Sequence, residues 1–295
     1  MLERLRFWGV HLVARDGIDT LAGSKHTTLL YGVRGIINAE YVRTLAEATR
    51  HGLEGQVRRG YNPGGCPFGY RSTPVTENGN VQGSRLIMYE PEAEVVRRIF
   101  RLRVGDGEQR PLSLREIAYG LNEDRIPPPG RRWKNRSKRQ AATWSFTAIR
   151  QLLRNPVYAG RLTWNRTEWV RHPDTRRRLR RPRPKDDWVE RQDESLRIVG
   201  DDLWQRAQDR AAAARLLIGV PPHRLHRRAK YVLSGFVTCA ICGSAYVIAN
   251  KTSYRCSASR NRGPVACSNA IPISRRRLEA AVLGALQAHL YTPAT

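Results

Sequence analysis

Cys239-Ala240-Ile241-Cys242, followed after thirteen residues by Cys256 and after ten more by Cys267, is the stretch that decides the fold. A Cys-x-x-Cys turn brings two thiolates together, and two further sulfurs at these distances can close a tetrahedron around a zinc ion. Ser244–Ile248 and Thr252–Arg255 read as the strands of a β-hairpin with Asn250-Lys251 at its turn, the layout of a zinc ribbon. Cys256 and Cys267 stand too far apart to share one short turn, a departure from the usual second knuckle. The intervening Ser, Asn, Arg and Gly residues cannot build a core unaided, so one zinc held by Cys239, Cys242, Cys256 and Cys267 is expected. Four thiolates leave no coordination position for water, which makes that metal structural. Cys66 stands alone in a Pro/Gly stretch and reads as incidental.

Outward from this region, charge dominates. The 295 residues carry 52 Lys+Arg against 26 Asp+Glu, a formal net charge of +26. A compact chain with that excess repels itself unless a polyanion neutralises it, and because Arg greatly outnumbers Lys, nucleic acid is the expected partner. A solvated basic face or an anionic membrane surface are the plainer alternatives. No apolar run approaches the ~18 residues that cross a bilayer, and no secretory leader is evident, so the protein is expected to stay in the compartment where it is made. No small-molecule substrate is indicated.

Towards the N-terminus the chain reads as a series of short units. Met1–Leu5 resembles a helix end and Val10–Val13 a buried strand, together the tail of a domain whose earlier strands would lie upstream. From Gly35 to Arg59 there is no proline, and Ile36, Ile37, Ala39, Val42, Leu45, Ala46, Leu53 and Val57 recur at helical spacing, which predicts one long helix ending at Gly60. Asn62–Tyr70, with Pro63, Gly64, Gly65, Pro67 and Gly69, is expected to be a linker suited to a narrow groove. A strand is predicted around Arg85–Tyr89, then helices over Pro91–Leu102 and from Ser113, where Glu116 completes a capping box. A helix from Ser145 to Arg154 and a strand over Tyr158–Trp164 follow. Residues 171–185, rich in Arg, read as a mobile basic loop, Asp201–Leu217 as a helix, and His223–Lys230 as a basic turn.

Several strings, in this order, resemble the large serine recombinases: Gly64-Gly65-Cys66-Pro67-Phe68-Gly69-Tyr70; Glu92-Ala93-Glu94-Val95-Val96-Arg97-Arg98-Ile99-Phe100; Ile117-Ala118-Tyr119-Gly120-Leu121-Asn122; Trp144-Ser145; and Leu153-Arg154-Asn155-Pro156-Val157-Tyr158-Ala159-Gly160. Leu233-Ser234-Gly235, Cys242-Gly243-Ser244 and Tyr254-Arg255-Cys256 are similar to that family's zinc ribbon. The resemblance implies an α+β multidomain chain. A remnant of an α/β resolvase-type catalytic domain would span 1–35, a long linking helix 36–60, and a mainly helical recombinase domain with its basic loop 61–185. A helical linker over 186–230, a small β zinc ribbon over 231–271 and the start of a C-terminal helix over 272–295 would follow.

The activity so implied is site-specific strand exchange in a bacterial or phage-encoded mobile element, acting in the cytoplasm on nucleoid DNA. The family's Tyr-x-Arg-x-Ser nucleophile string does not occur, so no catalytic residue is assigned and Ser24 is not taken as one. The chain is expected to hold a double-stranded attachment site, as a homodimer or tetramer on DNA. An active recombinase completed by the missing N-terminal segment, and an RNA-binding zinc-ribbon protein, are the competing readings. The linker would enter the minor groove, with Arg58, Arg59, Asn62, Gly64, Gly65 and Arg71 on DNA. Residue chemistry adds Arg131, Arg132, Lys134, Arg136, Lys138 and Arg139 ahead of a helix, and Arg150 and Arg154 on one face of it. Lys251, Arg255, Arg260 and Arg262 would serve from the ribbon.

Overall fold

In a computed structural model, residues 7–11, 13, 25–105, 109–129, 143–218 and 231–290 are described. They form two units, Met1–Pro63 and Gly64–Thr295. The expected helix end at Met1–Leu5, Ser24, the cations Arg131, Arg132, Lys134, Arg136, Lys138 and Arg139, and the turn at His223–Lys230 lie outside the described residues. No described helix is long and apolar enough to cross a membrane.

The first unit is essentially helix α1, Lys25–Arg58, which begins about ten residues before the expected start and so runs across the boundary drawn at 35/36. Its apolar face is exposed over the first turns, Ile36 at 71%, Ile37 at 60% and Val42 at 63%, and becomes covered only at the C-terminal end, where Leu53 is half-buried and Val57 is buried. Helical spacing establishes that such a face exists, not that the same chain covers it. The buried strand expected at Val10–Val13 is also corrected. Val10 and His11 have no regular structure, and Val10 and Val13 are exposed, there being no neighbouring described sheet for them to join.

In the second unit an antiparallel hairpin, β1 Tyr70–Glu77 with β2 Asn80–Met88, replaces the single strand expected near Arg85. Asn78 and Gly79 both take positive φ, 50° and 79°, the geometry that two-residue hairpin turns demand and that an Asn-Gly pair supplies. Helix α2 (Glu90–Val104), α3 (Leu114–Glu123) and α4 (Phe146–Leu153) follow. The α3 cap is the one read from sequence: Ser113 Oγ accepts from the Glu116 amide while the Glu116 carboxylate accepts from the Ser113 amide. The Ser145 hydroxyl caps α4 singly, accepting from the Ala148 amide.

Two antiparallel pairs complete the β content outside the ribbon's own sheet and the first hairpin. β3 (Ala159–Trp164) pairs with β6 (Val189–Arg197), and β4 (Thr167–Arg171) with β5 (Arg178–Pro182), before α5 (Asp201–Ile218). The basic segment 171–185, expected to be a mobile loop, therefore includes a strand of a regular hairpin. In the ribbon, β7 (Tyr246–Ile248), β8 (Ser253–Cys256) and β9 (Ile273–Ser274) form a three-stranded antiparallel sheet, with α6 (Ser257–Arg262) after β8 and α7 (Arg275–Leu290) last.

One apolar core joins pieces distant in sequence. Val96, Ile99 and Phe100 of α2, Ile117, Ala118 and Leu121 of α3, and Ile149 and Leu152 of α4 pack with Trp144, Tyr158, Leu196, Val199, Trp204 and Ala207. Each large side chain so buried contributes about 1.5–3 kcal/mol. Leu196 belongs to β6 and Trp204 and Ala207 to α5, so these two elements pack into this core and do not form a separate helical linker. The Gly/Pro linker is corrected likewise at its far end. Phe68 and Tyr70 are buried; the Tyr70 hydroxyl donates to the Val157 and Leu196 carbonyls, and the Tyr158 hydroxyl donates to Phe68. A second, smaller core gathers Leu233, Tyr246, Tyr254 and Ala258 around three of the cysteines.

Candidate metal centre and nucleic-acid interface

The four expected ligands converge. Cys239 and Cys242 sit on a tight turn closed by hydrogen bonds from Cys239 N to Ser244 O (2.8 Å) and from Gly243 N to Cys239 O (2.6 Å). Cys256 ends β8, and the six residues of α6 fill much of the unusually long interval before Cys267. All four sulfurs lie within 4.8 Å of one another, with Cys239 to Cys267 at 3.8 Å and Cys242 to Cys256 at 3.5 Å. A tetrahedron with ~2.3 Å Zn–S bonds has an edge of about 3.8 Å, so the donor set fits one zinc ion.

The electrostatics agree. Burial opposes ionisation of Cys239, but the amides of Cys242 and Ile241 and the Asn269 side chain outweigh it and bring that thiol down to about 6. Burial pushes Cys267 up to about 12. Four sulfurs this close cannot all be thiolates unless a cation neutralises them, and a bound divalent metal does so. Asn269, which sequence reasoning did not single out, donates from its side chain to Cys239 Sγ (3.4 Å) and the Tyr246 hydroxyl (2.6 Å), and from its amide to Cys267 Sγ (3.4 Å). It orients two ligands in the way that outer-shell groups do in metal sites.

The ribbon is fastened to the helical core through α6. The Tyr119 hydroxyl on α3 donates to the carbonyls of Arg260 (2.5 Å) and Ser259 (3.3 Å). Asn122, one turn on, donates to Arg262 O (2.7 Å) and Trp144 O (3.0 Å) while accepting from Trp144 N (2.7 Å). The last carbonyls of a helix lack partners further along it, and these two side chains supply Arg260 O and Arg262 O, while Ser259 O also accepts from Gly263 N. Gly263 follows at φ +90°, where an added Cβ would stand 3.0 Å from the Tyr119 ring. Glycine alone allows both that backbone and that approach.

Basic side chains collect at the same junction. The guanidinium groups of Arg115 on α3 and Arg150 on α4 lie 5.4 Å and 5.0 Å from the ring centre of Phe146. Arg260 has its pKa lowered first by burial and then by the positive charges of Arg115 and Arg255. Among the described residues no carboxylate pairs with Arg115, Arg150 or Arg255, and a convergence of like charges of this kind suits an incoming polyanion. Arg150, Arg255 and Arg260 were expected from sequence; Arg115, on the exposed side of a capped helix, was not.

The other expected contacts divide. Arg154 is exposed at the C-cap of α4, Lys251 is exposed at the ribbon turn, and Arg262 is half-buried in α6. Arg260 spends its guanidinium inside the ribbon, on the carbonyls of Ile248 (2.5 Å) and Ala249 (2.7 Å). Arg71 covers the Tyr89 ring at 3.8 Å and reaches Glu92 at 3.2 Å, while Arg58 pairs with Glu54 at 2.7 Å. Arg59 reaches back to Gly55 O; Asn62 is half-buried, and Gly64 and Gly65 are exposed at φ 136° and 74°.

Residues 90–213 match the family model of the Recombinase domain, and 232–287 match that of the Recombinase zinc beta ribbon domain. Between them the two take in more than half of the chain, in the order in which the helical core and the thiolate cluster occur. The chain belongs to the recombinase family. The resemblance to large serine recombinases is thereby borne out, and the recombinase ribbon is where the zinc fits. A crystal structure of an LSR–DNA complex, LSR standing for large serine recombinase, is similar at 15% identity and a TM-score of 0.31. That similarity covers 83% of this chain and 65% of the other, so the recombinase chain here spans under two thirds of that protein's length. No match was found among curated proteins.

Proposed function

We propose that this chain is the DNA-binding portion of a site-specific serine recombinase, gripping a double-stranded attachment site during strand exchange. The observation that carries the reading is the tandem of a recombinase domain and a thiolate-clamped ribbon on a chain of net charge +26. Arg115, Arg150 and Arg255 at the α3–α4–ribbon junction would bind backbone phosphates, with Arg154, Lys251 and Arg262 extending the contact. The Gly64-Gly65 segment would lie in the minor groove, with α1 as the link to the catalytic machinery. On DNA the protein would assemble as a homodimer or tetramer, in the cytoplasm of a cell that harbours the mobile element.

Each phosphate neutralised releases counterions, so duplex affinity is expected to fall steeply with salt, with a log–log slope of about −0.9 per contact and ~6–10 contacts. Fluorescence anisotropy on a labelled duplex measures this, with a structured RNA as competitor. A flat salt profile, or preference for the RNA, contradicts the reading.

A further inference from the structure

The β4–β5 hairpin lies outside the DNA contacts assigned above, and its geometry marks it as a separate contact surface. In its register Thr167 faces Pro182, Trp169 faces Arg180 and Arg171 faces Arg178. Alternation along the strands puts Trp169, Arg171, Arg178 and Arg180 on one side, and Glu168, Val170, Leu179 and Arg181 on the other. The only acid of the two strands is therefore on the second side, where it is already taken by Arg183 at 3.0 Å. Among the described residues Arg171, Arg178 and Arg180 have no carboxylate partner. Arg178 stacks on the Trp169 ring at 5.2 Å, and Arg180 donates to the Thr167 hydroxyl at 3.0 Å.

Such a hairpin is costly when nothing binds it. Like charges directly opposite in a ladder, as at Arg171 and Arg178, destabilise the pair, and Trp169 remains 59% exposed. Two isolated strands are barely stable in water, yet this pair is anchored at its root. Arg183 N donates to Arg166 O, the Trp188 indole donates to Arg183 O, and Asn165 donates to Asp187 O. A rooted, two-stranded, cationic ribbon with one aromatic face has the width that the ~12 Å major groove of B-form DNA admits.

We propose that the Trp169 face of the β4–β5 ribbon is an additional duplex-DNA contact, seated in the major groove with Arg171, Arg178 and Arg180 on the phosphates of its walls. This rests on the DNA-binding reading, and the experiment separates the two. The full chain and its Arg171→Ser/Arg178→Ser/Arg180→Ser variant are titrated against a B-form DNA duplex, an RNA duplex of the same sequence, and vesicles of phosphatidylserine and phosphatidylcholine. The variant should bind the DNA at least ~10-fold more weakly at moderate salt, with a log–log slope less negative by about 2–3. The deep, narrow major groove of A-form RNA should exclude the ribbon and blunt the effect.

An unchanged DNA slope overturns the ribbon contact and leaves the DNA-binding reading standing. Failure of the unaltered chain to retain the duplex sinks both, and a loss confined to RNA or vesicles overturns the ribbon assignment. Because the variant hairpin could be altered in fold, acrylamide quenching of the unaltered chain gives a second readout. Duplex should shield Trp169, seen as a protection that the Trp169→Phe protein lacks; equal protection in both proteins counts against the proposal.

Discussion

Cys242 illustrates how much one side chain carries in this protein. It is the least buried of the four ligands, and its sulfur lies 3.5 Å from Cys256. Cys242→Ser should abolish stoichiometric zinc, unfold the ribbon and weaken DNA binding while the helical core stays folded; metal analysis together with near-UV circular dichroism checks it. Normal zinc content in that variant would contradict the assignment. Glu116 offers a test by pH. The Ser113 amide first, and then Arg110, hold its carboxyl well below the usual range, at about 2. A depressed folded-state pKa contributes stability above the ordinary carboxylate range and loses it as pH falls towards 2. The α3 cap should therefore loosen on acidification, and Glu116→Gln should remove that part of the pH dependence of thermal unfolding.

Among the elements, α3 and α6 are the pair that matters most, because a hydroxyl and an amide on one join the metal domain to the other. Tyr119→Phe removes the bonds to Arg260 and Ser259 and should cost about 1 kcal/mol, read by denaturant unfolding. Gly263→Ala meets both the positive φ and the Tyr119 ring, and should cost more than Tyr119→Phe. If both variants unfold as the unaltered chain does, the junction contributes nothing to stability. Parts of this junction were legible in sequence. The Ser113–Glu116 box fixed the start of α3, and Asn122 stands on the same face as Ala118 and Leu121, where a polar group must find a buried partner. What was not legible is that the partner lies 140 residues away in α6.

At the scale of the whole molecule, the zinc ligands and most helices could be read because they depend on local chemistry: thiol spacing, caps and Gly/Pro breaks. The misreadings share one cause, namely that tertiary packing decides what a polar or breaker-rich segment does. Phe68 and Tyr70 looked like linker residues and prove to be core. The Arg-rich stretch reads as a loop because only its pairing with β4 makes it a strand, and α5 reads as a connector although Trp204 and Ala207 are buried. The helical spacing of α1 is read correctly from sequence, whereas its start at Lys25, and the burial of Val57 but not of Ile36, Ile37 or Val42, are not local properties.

The lodging of α6 between the third and fourth cysteines has a consequence for engineering. This ribbon, moved onto another scaffold, would arrive without Tyr119 and Asn122, which terminate its inserted turn of helix. Exchange of target preference between homologues by swapping this module alone should therefore give poorly seated hybrids, and the transplant has to take the docking side of α3 with it.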